Sequence, residues 1–307
     1  MRITVLTILL LSLCVSCGKQ NKKGKHPSSA QDTALKSSWR ITSTTDWVKN
    51  QGLLNVESIV HDASNQVFYA SNGENYGLGT DGFISKISKD GTLQELKWIE
   101  GLNRPTGMAI RDSLLYVADV NTLIVINTKK GTVVERFLEP VANSGLNDVA
   151  INDKGEVYVS ASFVHSIFTL EEGELRLWAK DEERLKWANG LVATNKEVIV
   201  AGLDMSTIDS DSRRIDSIQL NPSIKDFDGL IPDGNDGFFV TTVENSGFYH
   251  INKQMQVTKI LEDAAYFGDL EFDRANKTIY IPRGNRKTNE FYITVCTMEE
   301  WPDTKNR

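Results

Sequence analysis

The chain has 307 residues, 40% hydrophobic and 24% charged, with a formal net charge of -7. That composition suits a soluble globular body long enough to bury a large core. Residues 1–40 are basic (Arg2, Lys19, Lys22, Lys23, Lys25, Lys36 and Arg40 against Asp32), so the acidity lies in the body. An acidic body lacks the basic footprint that a nucleic-acid partner needs and suits a cation or a neutral ligand.

Residues 1–16 read as a signal peptide. Arg2 is the charged start, and Ile3 to Val15 is an apolar run broken by Thr4, Thr7 and Ser12. A run of about 13 residues is too short to span a bilayer comfortably and right for a signal-peptide core. Ser16-Cys17-Gly18 resembles a bacterial lipobox, although Cys14 stands where Leu is usual. The expectation is an exported bacterial lipoprotein, lipidated at Cys17 and facing the periplasm or cell exterior. The lipid is then its one contact with the membrane. The alternative is an ordinary secreted protein cleaved nearby. Residues 17–38 are polar and basic and cannot bury enough surface to offset their ordering entropy, which predicts a flexible tether. With Cys14 removed and Cys17 lipidated, Cys296 is alone and is expected to act as a small buried hydrophobe.

From Leu53 onward the chain repeats. The first strand of each unit begins with one variable polar position: Glu57, Thr106, Asn147, Asn189, Asp228 and Gly268. These lie roughly 40 residues apart, with a longer first step. Each is followed by a turn rich in Asp, Asn and Gly and by a second run of β-branched and aromatic residues, such as Val157-Tyr158-Val159. A third strand and a more polar fourth follow. Four strands per repeat of this length is the pattern of a β-propeller blade, and six repeats predict an all-β, six-bladed β-propeller over 39–299, with a tail over 300–307. Blade 6 lacks a fourth strand of its own. The segment Trp39-Arg40-Ile41-Thr42-Ser43 is expected to supply it and so close the ring.

In a propeller the first strands line the central channel, so the repeated positions gather at one mouth. There Glu57, Asp228, Asn147 and Asn189 offer four hard oxygen donors, and no Lys or Arg belongs to the repeated set. This favours a Ca²⁺-like divalent cation. The bland alternative is that these residues only satisfy backbone groups where strands begin. Two carboxylates so close would then repel without compensation. The loops between second and third strands also surround the mouth. They include Asn72 to Gly82, Leu203 to Arg214 and Arg283 to Glu290. The Asn72 to Gly82 stretch, rich in glycine and carrying Tyr76, suits a rim or lid.

The ordered set resembles the senescence marker protein/gluconolactonase (regucalcin-like) family, related to diisopropyl fluorophosphatase and the paraoxonases. It does so through Glu57 in blade 1, Asn147-Asp148 and Asn189-Gly190 in the middle blades, and Asp228-Gly229 in blade 5. These are six-bladed calcium propellers. The resemblance covers about Leu53 to Thr297. It implies that Glu57, Asn189 and Asp228 are metal ligands, that Asn147 is a ligand or a substrate contact, and that Asp228 is the catalytic base or nucleophile. Gly268 stands where the fluorophosphatase branch has a histidine, which argues against that phosphotriesterase chemistry. The Asn147-Asp148 pair keeps lactonase chemistry open.

Other substrate-binding candidates are Asp148, His165 in a mouth-side loop, and Arg283, which could clamp an anion. Asp119 and Glu244 read as solvated loop acids. His61 and His250 fall away from the mouth. No phosphate-binding glycine loop, zinc cluster or nucleophile elbow is present. Two functions fit. One is a monomeric Ca²⁺-dependent hydrolase acting on a small lactone or ester. The other is a non-catalytic lipoprotein propeller that holds a small ligand or partner at the same mouth.

Overall fold

The second strand of each repeat is the most hydrophobic because neighbouring blades cover both its faces. Val67–Asn72, Val157–Ala161 and Phe238–Thr242 are buried along their whole lengths. Fourth strands such as Thr132–Leu138 face water and read as polar. A computed structural model, which describes residues 39–300, assembles these runs into six antiparallel four-stranded blades of a β-propeller. The expected signal peptide, the tether with Cys17 and the tail beyond Glu300 lie outside the described residues. No α-helix occurs among the described residues; Ser162–Val164 forms one turn of 3-10 helix.

Blades 1 to 5 each run from channel to rim in chain order. Blade 6 is built from both ends of the body. Trp39–Trp47 pairs antiparallel with Glu290–Glu300 as its outer strand, as the sequence predicts, with Trp39 opposite Glu300 and Trp47 opposite Ile293. Trp39 is buried edge-on against Phe239 and Phe272, at 5.4 and 5.7 Å between ring centres. Cys296 is buried in the same cluster, and burial pushes its thiol up to about 12, as suits an inert packing residue.

Two segments expected as mouth loops belong to strands. Met205–Asp209, inside the expected loop 203–214, is the third strand of blade 4, because Met205, Ser206 and Ile208 are buried despite a polar appearance. The second strand of blade 6 runs Thr278–Asn285, which takes Arg283 into the sheet opposite Tyr292.

The first strands face inward. Together Val60, Met108, Asp148, Leu191, Leu230 and Asp269, one from each blade, line a central cavity of about 230 Å³.

Candidate functional site: the mouth of the central channel

In blades 2, 3 and 5 a backbone bulge sits at the repeated polar position. In blade 3 the pairing passes from Leu146↔Ala161 to Val149↔Val159, so Asn147 and Asp148 together oppose Ser160. Blades 2 and 5 bulge in the same way, between Pro105 and Met108 and between Phe227 and Leu230. A bulge re-aims side chains and leaves backbone groups without ladder partners. Buried hydroxyls of the second strand accept the freed N–H groups. Ser58 N–H donates to Ser71 Oγ (3.0 Å), Asp148 N–H to Ser160 Oγ (2.8 Å) and Gly229 N–H to Thr241 Oγ1 (2.8 Å).

A second device separates the four oxygen donors from the two silent places. Two residues before each donor the backbone is left-handed: Asn55 (φ 44) before Glu57, Gly145 (φ 66) before Asn147, Trp187 (φ 55) before Asn189 and Asp226 (φ 61) before Asp228. Arg104 and Tyr266, the equivalents before Thr106 and Gly268, do not share that conformation. A left-handed tryptophan is a genuine outlier, and such strain gathers where a site over-determines its backbone.

At the mouth the donors are half-buried. Asn189 Nδ2 donates to Asp228 Oδ1 at 3.0 Å. Asn147 Nδ2 donates to Ser162 Oγ at 3.2 Å. Glu57 Oε2 and Asn147 Oδ1 are shut off from water and accept no hydrogen bond. Burial pushes the Glu57 carboxyl well above its ordinary range, the charge of Asp228 adds to this, and Arg104 opposes it. Burial likewise raises Asp228, to about 6, against the Asn189 amide and the Arg286 and Arg104 charges. Beneath them Asp269 is raised by burial and by Asp148, Glu57 and Asp228. The mouth therefore opens onto a stack of carboxyls that repel one another as anions.

The other expected site residues are placed differently. Asp148 faces the channel below the mouth with both oxygens committed, accepting Leu191 N–H and Val149 N–H at 2.7 Å each. It is a strut between blades 3 and 4, and burial pushes it up to about 7. His165 lies on the rim, where its Nδ1 accepts the Trp187 N–H at 3.2 Å and its Nε2 lies 3.6 Å from Glu182. No hydrogen bond joins it to the four donors among the described residues. Arg283 is not presented to the mouth. It is buried, 2.9 Å from Asp263 Oδ2, and stacked 4.0 Å from the Phe267 ring centre, because its residue lies within a strand. Asp119, expected as a solvated acid, is buried and accepts the Asn103 and Arg104 N–H groups.

Two arginines missed in the sequence act on the mouth. Arg104 is buried, and its guanidinium donates to Pro105 O (2.8 Å) and Asn55 O (2.9 Å). Arg286 Nε donates to Asn55 Oδ1 at 2.9 Å. Asn55 thus holds both arginines, and its Nδ2 also donates to Glu74 O in the 73–81 loop. That loop reaches across to blade 3, where Tyr76 Oη donates to Leu146 O at 2.8 Å. Arg104 and Asn55 carry one sequence signal, their place two residues before Thr106 and Glu57; nothing marks Arg286.

No protein-family model matches the sequence, and no curated protein matches it either. Solved structures do. A gluconolactonase from Xanthomonas campestris superposes with a TM-score of 0.63 at 13% identity, over 84% of this chain and 91% of its own. A luciferin-regenerating enzyme gives 0.59 at 13% identity, over 83% and 95%. A catalytically inactive form of virginiamycin B lyase from Staphylococcus aureus gives 0.58 at 12% identity, over 83% and 99%. At these identities the likeness is one of fold.

The silent places have steric reasons. A Cβ on Gly268 would stand 2.3 Å from the Glu57 carbonyl oxygen, and Asp269 N–H donates to that same oxygen at 2.8 Å. The close pairing of blades 6 and 1 leaves no room for a side chain there. Thr106 spends its hydroxyl on Asn147 O at 2.6 Å and so ties blade 2 to blade 3.

Whether a divalent cation fits can be judged from the donors. Two orphaned oxygens, one from a carboxyl and one from a carboxamide, beside a second carboxyl and a second carboxamide make a hard-oxygen set of the kind Ca²⁺ takes. No three His, Cys, Asp or Glu side chains cluster as a ready metal site among the described residues. A cation here would therefore rest on two carboxylates, two carboxamides and water. The residues fit on those terms, with Arg104 and Arg286 limiting the charge it meets.

Proposed function

We propose that the mouth binds Ca²⁺ through Glu57, Asn147, Asn189 and Asp228 and hydrolyses a small lactone or ester. The observation that carries this is the pair of orphaned oxygens, Glu57 Oε2 and Asn147 Oδ1, beside a carboxylate raised to about 6. An unsatisfied buried oxygen costs about 1–3 kcal/mol unless a ligand or water answers it. When bound, the cation supplies Lewis acidity toward a carbonyl oxygen.

Asp228 is the proposed base. At neutral pH it is largely ionised and basic enough to take a proton from water as the water's oxygen attacks the carbonyl carbon. The proton then passes to the ring oxygen as the C–O bond breaks, giving a hydroxy acid. Asn189 orients Asp228 through its 3.0 Å hydrogen bond. Asn147, its amide nitrogen held by Ser162, keeps its carbonyl oxygen unpaired for the ligand. The loop carrying Tyr76 covers blade 3 beside Asn147 and helps exclude water. The proposal places this chemistry outside the cell membrane, on an acidic body tethered through Cys17.

Asp228→Asn keeps an acceptor for Asn189 and removes the base. On a lactone panel it is expected to lower kcat by ~10²–10⁴ while the variant still folds and melts cooperatively. Equal rates in variant and wild type, both above the uncatalysed rate, would contradict the assignment. If wild type itself turns nothing over but Ca²⁺ still raises its midpoint, the non-catalytic binding propeller is the correct reading.

A further inference from the structure

The rim of the mouth has two unlike sides. On the blade 6 side, Arg286 has its Nε fixed by the buried Asn55 amide and its guanidinium 5.3 Å from the Tyr266 ring centre. No carboxylate among the described residues lies within ion-pair distance of it, unlike Arg184 and Arg214, which pair with Asp181 and Asp216. An arginine held by a neutral amide and an aromatic face, with its fork free, is poised for an anion.

Opposite, blades 3 and 4 present aromatic surface. Phe163 and Trp187 are 51% and 46% exposed, and their rings meet edge to face at 6.1 Å. Tyr76 joins from the covering loop at 5.4 Å from Phe163. Neither exposed ring is there by default. Trp187 adopts a left-handed backbone two residues before Asn189. Gly145 makes room for Phe163, since a Cβ there would stand 2.8 Å from the ring. Exposed aromatic surface bordering a polar site marks a binding face for flat apolar groups.

Blades 3 and 6 are opposite in a six-bladed ring, so the two features face each other across the oxygen donors. We infer that the mouth selects a small monoanionic ligand bearing an aromatic ring, its carboxylate on Arg286 and its ring on Phe163 and Trp187. This rests on the reading of the mouth as a ligand site and adds the substrate class. The hydrolase then takes aryl-substituted lactones or esters that carry a carboxylate.

The test is calorimetric titration of the full-length protein with 3-phenylpropanoate, 3-phenylpropanamide and propanoate, with chelator present so that no cation takes the carboxylate. The acid should bind at least about tenfold more tightly than the amide or propanoate. Arg286→Gln should abolish the difference between acid and amide, and Arg286→Lys should retain part of it. Trp187→Gly, which keeps the left-handed backbone, and Phe163→Ala should abolish the difference between the acid and propanoate. Equal binding of acid and amide by wild type, no binding of the acid, or an unchanged Kd in Arg286→Gln would overturn the inference. Because these are binding readouts, absence of lactone turnover would sink the hydrolase reading while leaving this result standing.

Discussion

Asp148, Asp228 and Glu271 are raised by burial to about 7, about 6 and about 7. Unfolded, such groups titrate near ~4. The folded state therefore holds more protons, so their contribution to stability is present below about pH 4 and is lost as pH rises through the folded values. With chelator present, the thermal midpoint should fall between about pH 5 and about pH 8. A rise across that window would contradict the burial of these carboxyls without compensating charge. The repeated polar positions are legible in the sequence because a repeat aligns them. The Arg286–Asn55 pairing is not, because it joins a blade 6 turn to a blade 1 loop and no local pattern encodes it. Arg283 differs for a related reason: its strand runs on to Asn285, which turns an expected loop arginine into a buried one.

At the level of the strand, the bulge and its hydroxyl form a unit. Ser160→Ala removes the acceptor of the Asp148 N–H within a fully buried ladder. The expected loss is ~1–3 kcal/mol in denaturant unfolding, with reduced ligand binding because Asn147 shares the bulge. Gly268→Ala forces a Cβ against the Glu57 carbonyl and should cost a further ~1–3 kcal/mol while displacing Glu57 from the mouth. A neutral outcome for both substitutions would mean that the mouth tolerates movement of its backbone. Strand runs were readable from β-branched and aromatic spacing. Met205–Asp209 was hidden because its inward positions include Ser206, whose burial is set by the Arg184 carbonyl that accepts from it.

The whole molecule is a ring closed by its own N-terminal strand, and this was predictable from a count of strands: blade 6 lacked one and Trp39–Trp47 had no other place. Trp39→Ala opens the packing against Phe239 and Phe272. It should cost roughly 3–5 kcal/mol, read as a lower midpoint in a single cooperative transition. A loss confined to blade 6 would contradict closure as a global constraint. Fold likeness at 13% identity does not extend to chemistry, so the site has to stand on its own donors. The most direct measurement is a crystal structure of the full-length protein grown with Ca²⁺. One cation should lie within about 2.3–2.6 Å of oxygens from Glu57, Asn147, Asn189 and Asp228, with water completing its shell. A mouth without a cation at saturating Ca²⁺, or a cation bound by other residues, would contradict the account.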